Sequence, residues 1–280
     1  MTFTTRFAPS PTGPLHLGHA YSALLAQDVA RAESGVFLLR MEDTDIARVR
    51  PEWEALIYQD LAWLRLEWET PVLRQSDNLP RYDDALDRLN DLGVLYPCRC
   101  KRSDIRAALS APQEGGPTVS VYPGTCRHRP MSERTPTDAI RLDLSRALAQ
   151  LGTSCPKFHD TGPKHRGWHS IRPDWMHAHI GDAVVGRKDI GTVSYVLSAV
   201  VDDADQGISH VIRGSDLFDT TFLQVLLQAL LDLPTPVYHH HRLIRDENGK
   251  RLAKRDDARA IRTYREDGLS PLDVRALVGL

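Results

Sequence analysis

RFAPSPTGPLHLGHA, residues 6–20, sets prolines and glycines among small residues and closes on two histidines three apart. The short strand-like segment FTTRFA (3–8) leads into it, and HAYSALLAQDVARAE (19–33) leaves it as a helix. Such a turn adds little to a core. Its use lies in aiming backbone N–H groups and a helix start above the end of a strand, where anions, and phosphate above all, are favoured. Gly13 and Gly18 let a flat ligand come close to the backbone. His16 and His19 share a face of the first helical turn and offer uncharged donors to phosphate oxygens. Spacing alone is met equally well by a proline-rich loop carrying two surface histidines.

Working outward, the helix over 19–33 is expected to stop at Gly35 as a C-cap glycine. VFLLRM (36–41), an apolar run between turn residues, reads as a buried strand. Strand, helix and strand in that order imply a parallel pair with a right-handed crossover. PEWEALIYQDLAWL from Pro51 is a helix opened by proline, and RYDDALDRLNDLG (81–93) is a second, closed by Gly93. From Pro97 to Arg129 the texture becomes irregular, and three of the four cysteines lie there. Residues 130–180 are mixed. Order returns with TVSYVLSAVVDD (192–203), the strand ISHVIRG (208–214), the amphipathic helix DLFDTTFLQVLLQALLDL (216–233) and the strand VYHHHRLI (237–244). The expected fold is α/β, a doubly wound parallel sheet split by an inserted module.

The 280 residues can bury one large core or two modest ones, and the net charge of −2 neither favours nor excludes nucleic acid. No run of about 18 apolar residues suggests a transmembrane helix, and the N-terminus lacks a secretory pattern. A reducing cytoplasmic location is therefore expected, in which cysteines serve as metal ligands or buried thiols. Near the other end, GKRLAKRDDAR (249–259) is a lysine- and arginine-rich loop after a strand. A cationic loop suits the charge that spreads onto a leaving pyrophosphate, although a solvated charge run reads the same way in isolation.

HLGH (16–19) resembles the HIGH signature of class I aminoacyl-tRNA synthetases, and RLAKR (251–255) resembles their KMSKS loop. In the second motif Ala253 stands at the serine place, Arg251 and Arg255 replace the flanking lysine and serine, and Lys254 is kept. RFAPSPTGPLHLGHA, RMEDTD (40–45), SYVLSAVVDD (194–203) and VIRGSDL (211–217) are similar to glutamyl-tRNA synthetases, in family order along nearly the whole chain. Only 26 residues follow Lys254, where those enzymes continue into a helical anticodon-binding part. The chain thus resembles their truncated paralogues, which attach glutamate to queuosine in the anticodon of tRNA(Asp).

The resemblance implies a Rossmann-like catalytic domain whose first half is 1–96 and second half 183–245. Between them lies an insertion, 97–182, with a zinc-binding segment at 97–129, and 246–280 holds the KMSKS-like loop and a helical end, with no anticodon-binding domain. It implies activation of L-glutamate by ATP without tRNA, then transfer to tRNA(Asp) carrying queuosine, by a monomer. His16, His19 and Lys254 are the expected catalytic residues, and His16, Gly18, His19 and Lys254 the ATP contacts, with Mg2+ accompanying ATP. Glutamate has two carboxylates and one ammonium, a demand that two arginines and one acid meet. The family's positions supply Arg6 and Arg213, Glu42 for the ammonium, and Tyr195 as a hydroxyl donor. The segment Arg6, Phe7, Ala8, Pro9 and Ser10 lines the same pocket.

Cys98, Cys100 and Cys126 offer three thiolates in one short segment, and tetrahedral zinc needs a fourth ligand. Tyr122 matches the truncated family's arrangement; His128 is the rival by ligand type, and buried thiols without metal are the plain alternative. Cys155 is expected in the core. In the run His239, His240, His241, strand alternation sends His240 away from its neighbours, which argues against a three-histidine metal site. Trp53 and Trp63 read as core residues of a helix. PKHRGWHSIR (163–172) is basic and aromatic, a candidate RNA contact. Two competing functions share these motifs: a minimal glutamyl-tRNA synthetase charging the 3′ end of tRNA(Glu), and a non-catalytic synthetase paralogue. Glutamate-dependent ATP–pyrophosphate exchange without tRNA separates both from the first reading.

Overall fold

In the computed structural model, residues 2–101, 103–105, 121–188, 191–245 and 259–280 are described. Strand β1 (Thr4–Phe7) is parallel to β2 (Val36–Met41), with helix α1 (Leu17–Ala32) as the crossover. Helix α2 (Pro51–Trp63) then leads to β3 (Glu69–Arg74), parallel to β2. Helix α3 (Leu79–Asp91) follows, then β4 (Leu95–Cys98), β5 (Ala139–Leu142) and helix α4 (Leu144–Gln150). Strands β6 (Lys157–Asp160) and β7 (Gly167–Ser170) form an antiparallel hairpin, followed by α5 (Pro173–His179) and β8 (Val184–Gly186). Helix α6 (Tyr195–Asp205), β9 (His210–Gly214), α7 (Phe218–Leu230) and β10 (Val237–His241) complete the sheet region. Two short helices, α8 (Ile261–Glu266) and α9 (Pro271–Val278), end the chain.

The main sheet is assembled from two sets of strands, β1-β2-β3 and β7-β6-β10-β9. They meet where β9 flanks β1: Thr4 N donates to Ser209 Oγ (2.8 Å) and Ser209 N donates to Thr4 O (3.0 Å). Hydrophobic layers cover both faces. Phe37 and Leu39 of β2 and Ile212 of β9 join a core with Leu24 and Ile57 of α1 and α2, whereas Leu38 and Val211 pack with Tyr82, Val200 and Val225 of α3, α6 and α7. Burial on both faces is why VFLLRM shows no polar alternation. This is the doubly wound arrangement expected from the sequence.

A separate antiparallel sheet, ordered β4-β5-β8, carries the cysteine segment. Residues 157–170, inside the stretch expected to form the insertion, pair instead through β6 with β10 of the main sheet. Strand β3 escaped the sequence reading because it begins exposed and contains Pro71.

Two expectations are corrected. The left-handed residue after α1 is Ser34 (φ 50°), not Gly35. Gly35 is needed for closeness: a Cβ there would lie 2.4 Å from the carbonyl oxygen of Phe3, where the chain enters β1. Cys155 is exposed, in the loop before β6, and is not a core thiol. Trp63 packs against the core of α1 and α2. Among the described residues no helix is long and apolar enough to cross a membrane. Lys254, Ala253 and the rest of the KMSKS-like motif lie outside the described residues.

Candidate active site

His16 is the N-cap of α1, and the two histidines cap it reciprocally. His16 Nδ1 accepts from Gly18 N (3.1 Å), and His16 N donates to His19 Nδ1 (3.2 Å). The rings stack with centroids 3.8 Å apart. A Cβ on Gly18 would come within 3.0 Å of His16 Cε1, so the glycine makes room for the ring. Because Nδ1 of each ring accepts, the proton of each neutral imidazole resides on Nε2. The turn thus combines a helix N-terminus with two Nε2–H donors. Ala260 forms an antiparallel bridge with His16, and Ile261 N donates to Leu15 O (2.8 Å). Ala260 and Ile261 therefore lie directly against this turn.

A buried charge network lies at the C-terminal ends of β1 and β2. Arg6 gives Asp203 a two-pronged grip, Nε to Oδ1 at 3.0 Å and Nη2 to Oδ2 at 3.2 Å. Arg40, with no exposed surface, donates from Nη1 to Asp203 Oδ1 (2.8 Å) and lies 3.7 Å from both Asp202 and Glu42. Asp202 also accepts from Gln75 (2.7 Å), Asn78 (2.9 Å) and Tyr82 (2.8 Å). Two guanidinium groups thus meet three carboxylates. Burial pushes the Glu42 carboxyl up to about 7, against the pull of Arg40 and Arg6. Burial acts the same way on Asp203, but Arg6 and Arg40 outweigh it and hold that carboxyl below its usual range. Glu42 N donates to Pro9 O (3.1 Å), which ties the residue after β2 to the segment Ala8, Pro9 and Ser10 that follows Phe7 at the end of β1.

Arg213, buried near the end of β9, is held from three sides. Its Nε donates to His240 Nε2 (3.1 Å), Nη2 to Thr221 Oγ1 (2.7 Å) and Nη1 to the Tyr195 hydroxyl (3.3 Å). His240 Nδ1 in turn donates to the Asp160 carboxylate, and neither residue has exposed surface. Burial keeps His240 uncharged, and Asp160 claims its proton on Nδ1, which leaves Nε2 to accept from Arg213. Tyr238 lies beneath the Arg213 guanidinium, 5.3 Å from ring centroid to Cζ, and also feels the charge of Arg6. Arg6 and Glu42 thus belong to one network, Arg213 and Tyr195 to another, at the carboxyl ends of β1, β2 and β9, where β1 lies between the other two. Sequence reasoning overlooked Arg40, Asp202, Asp203, Asp160, Thr221 and the part played by His240. Two adjacent aspartates closing an apolar helix were the visible signal.

The cysteine segment builds a separate cluster. One ligand sulfur from each of Cys98, Cys100 and Cys126 falls within 4.8 Å of the others. The Tyr122 hydroxyl lies 3.4 Å from the sulfurs of Cys98 and Cys100 and accepts from Cys126 N (3.0 Å). Zn–S bonds of ~2.3 Å in a tetrahedron place sulfurs about 3.8 Å apart, close to the 3.5 Å between Cys100 and Cys126. Burial would raise the Cys126 thiol, yet hydrogen bonding by Tyr122, the Arg99 backbone and the neighbouring thiols draws it down to about 7. His128 is exposed and is not part of the cluster. The donor set fits a small thiophilic metal ion.

Residues 2–280 match the family model of tRNA synthetases class I (E and Q), catalytic domain. The chain is 57% identical, over 99% of its length and 99% of the relative's, to a glutamyl-Q tRNA(Asp) synthetase of Rhodobacter capsulatus. It is 40% identical to one from Nocardia farcinica, over 98% of this chain and 82% of that one. The crystal structure of a glutamate-tRNA synthetase from Elizabethkingia anophelis superimposes with a TM-score of 0.73 at 26% identity, over 96% of this chain. The chain spans 54% of that longer enzyme.

Proposed function

The chain belongs to the class I tRNA synthetase family of the E and Q branch, and on that premise we propose that it activates L-glutamate with ATP and transfers the glutamyl group to queuosine in tRNA(Asp). In the first step a carboxylate oxygen of glutamate bonds to the α-phosphorus and diphosphate leaves. The nucleophile is already ionised, so no general base is needed. The barrier lies in aligning two anions and neutralising their charge. In the second step a hydroxyl of queuosine attacks the acyl carbon and AMP departs.

The convergence of Arg6, Glu42 and Arg213 at neighbouring strand ends carries this reading. Arg6 commits Nε and Nη2 to Asp203, so its Nη1 serves a substrate carboxylate. Arg213, locked by His240 and Thr221, serves the other together with Tyr195. The substrate ammonium supplies a third cation to the three carboxylates and converts Glu42 to its ionised form. His16 and His19 donate from Nε2 to ATP phosphates beside the Gly18 backbone, and Lys254 gathers charge on the departing diphosphate. Magnesium travels with the nucleotide and neutralises phosphate charge. Cys98, Cys100, Cys126 and Tyr122 would hold one zinc ion, whose part is to brace the small sheet that lacks a sizeable core of its own. The same reading makes the protein a cytoplasmic monomer.

The test is glutamate-dependent ATP–pyrophosphate exchange without tRNA, followed by transfer of labelled glutamate to tRNA(Asp) and nuclease mapping of the labelled nucleotide. Exchange together with label in the anticodon is expected. Label at the 3′ terminal ribose of tRNA(Glu), assayed in parallel, would identify a minimal glutamyl-tRNA synthetase, and absence of both exchange and transfer a non-catalytic paralogue.

A further inference from the structure

The β6–β7 hairpin has one face in the core and one in solvent. Phe158 and His169 turn inward, stack on each other at 5.1 Å and contact Phe218 and Phe222. By strand alternation Lys157, His159 and Trp168 occupy the opposite face. There Trp168 stays 64% exposed, an unusual state for an indole on a regular strand. It is nonetheless held in place. His159, its direct cross-strand partner, stacks on it with centroids 5.0 Å apart and planes 28° from parallel. Lys157 Nζ lies 4.9 Å from the ring centroid.

Along the hairpin segment itself the exposed charge is basic, while Asp174, Asp216 and Asp219 lie outside that segment. The exposed charged residues between 157 and 172 are Lys157, Lys164, Arg166 and Arg172; the acid of that stretch, Asp160, is buried against His240. In a chain of net charge −2 this is a local concentration of cations beside a rigid aromatic surface. Stacking surface plus cations is the chemistry that recognises unpaired nucleotides: the ring takes a base and the ammonium and guanidinium groups take its phosphates. The hairpin is also well placed. β7 is the outer strand of the sheet in which β9 carries Arg213, three strand spacings or ~14 Å away.

We propose that Trp168, flanked by His159 and Lys157, is an RNA-docking platform on which a base near the acceptor nucleotide stacks. The proposal rests on the reading of the chain as an enzyme acting on tRNA. The platform serves RNA engagement and has no part in glutamate activation. Its test compares wild-type protein with Trp168→Ala, Trp168→Phe and Lys157→Gln in two assays: pyrophosphate exchange, and binding of queuosine-containing tRNA(Asp) by fluorescence anisotropy over a salt series. Trp168→Ala should leave exchange within about twofold and weaken tRNA binding about tenfold; Trp168→Phe should restore most of it. Lys157→Gln should lower the slope of log affinity against log salt by about one. Unchanged tRNA affinity in Trp168→Ala overturns the platform, whatever the catalytic result. Should Trp168→Ala lose exchange as well, Trp168→Phe and Lys157→Gln decide the matter. Binding that depends on Trp168 in a protein that transfers no glutamate would uphold the platform and refute the proposed reaction.

Discussion

The charge network under the main sheet and the thiol cluster on the small sheet are both buried polar centres, yet they are stabilised in opposite ways. The network is held mostly by the protein itself: Arg6 and Arg40 both bind Asp203 across 163 to 197 residues of sequence, with Asp202 3.7 Å from Arg40, whose Nε and Nη2 make no hydrogen bond among the described residues. The cluster gathers three sulfurs and a phenol from within 28 positions and holds few apolar residues around them. Buried charges with fixed partners make a rigid frame, and a frame with one carboxylate in excess is ready for a cationic ligand. Thiols packed together in this way would be completed by a metal ion.

This contrast predicts where damage spreads. Asp203→Ala leaves two buried guanidinium groups without their shared partner and should cost about 3–5 kcal/mol of folding stability, read by urea unfolding. A loss under about 1 kcal/mol would mean that the network is not a frame. Arg213→Ala should keep the fold, with a smaller loss of stability than Asp203→Ala, and reduce kcat/KM for glutamate in pyrophosphate exchange by about 10²–10³. Glu42 gives a pH signature. With its empty-site value raised to about 7, it becomes increasingly protonated as pH falls below 7 and can no longer accept the ammonium charge. The KM for glutamate should therefore rise about tenfold per pH unit on the acid side. Glu42→Gln should show a high KM without that limb; a profile identical to wild type would remove Glu42 from the site.

The smallest catalytic effect is expected at the thiol cluster. Cys126→Ser should abolish a zinc content of about one per chain and loosen the β4-β5-β8 sheet, read by faster amide exchange there. Glutamate-dependent exchange should fall by less than about tenfold, because the main sheet frames its site independently. If removing the thiol abolished activation outright, the two centres would have to be coupled, and the comparison drawn between them would fail.

Legibility followed distance along the chain. The β1–α1–β2 unit was readable because period, turn residues and lengths are local properties, and VFLLRM is a run no exposed strand would carry. The cysteine segment was readable as a metal candidate for the same reason, with Tyr122 proposed beside it from the family resemblance; only the fold brings its phenol to 3.4 Å from two sulfurs while His128 is exposed. β3 and the ends of α1 were less legible, since a close approach at Gly35 leaves no trace in local sequence. The hairpin 157–170 was invisible as part of the main sheet because its partner, β10, lies 80 residues away.

Residue order alone left open whether the two histidines cap a helix, but settled that a parallel α/β unit opens the chain and that three cysteines gather in an irregular segment. These depend on contacts a few residues long. Tertiary structure decided that Arg40, Asp202 and Asp203 brace Arg6, and that Asp160 and His240 hold Arg213. Burial makes an unpaired charge costly, and only the folded sheet determines which distant groups become its partners.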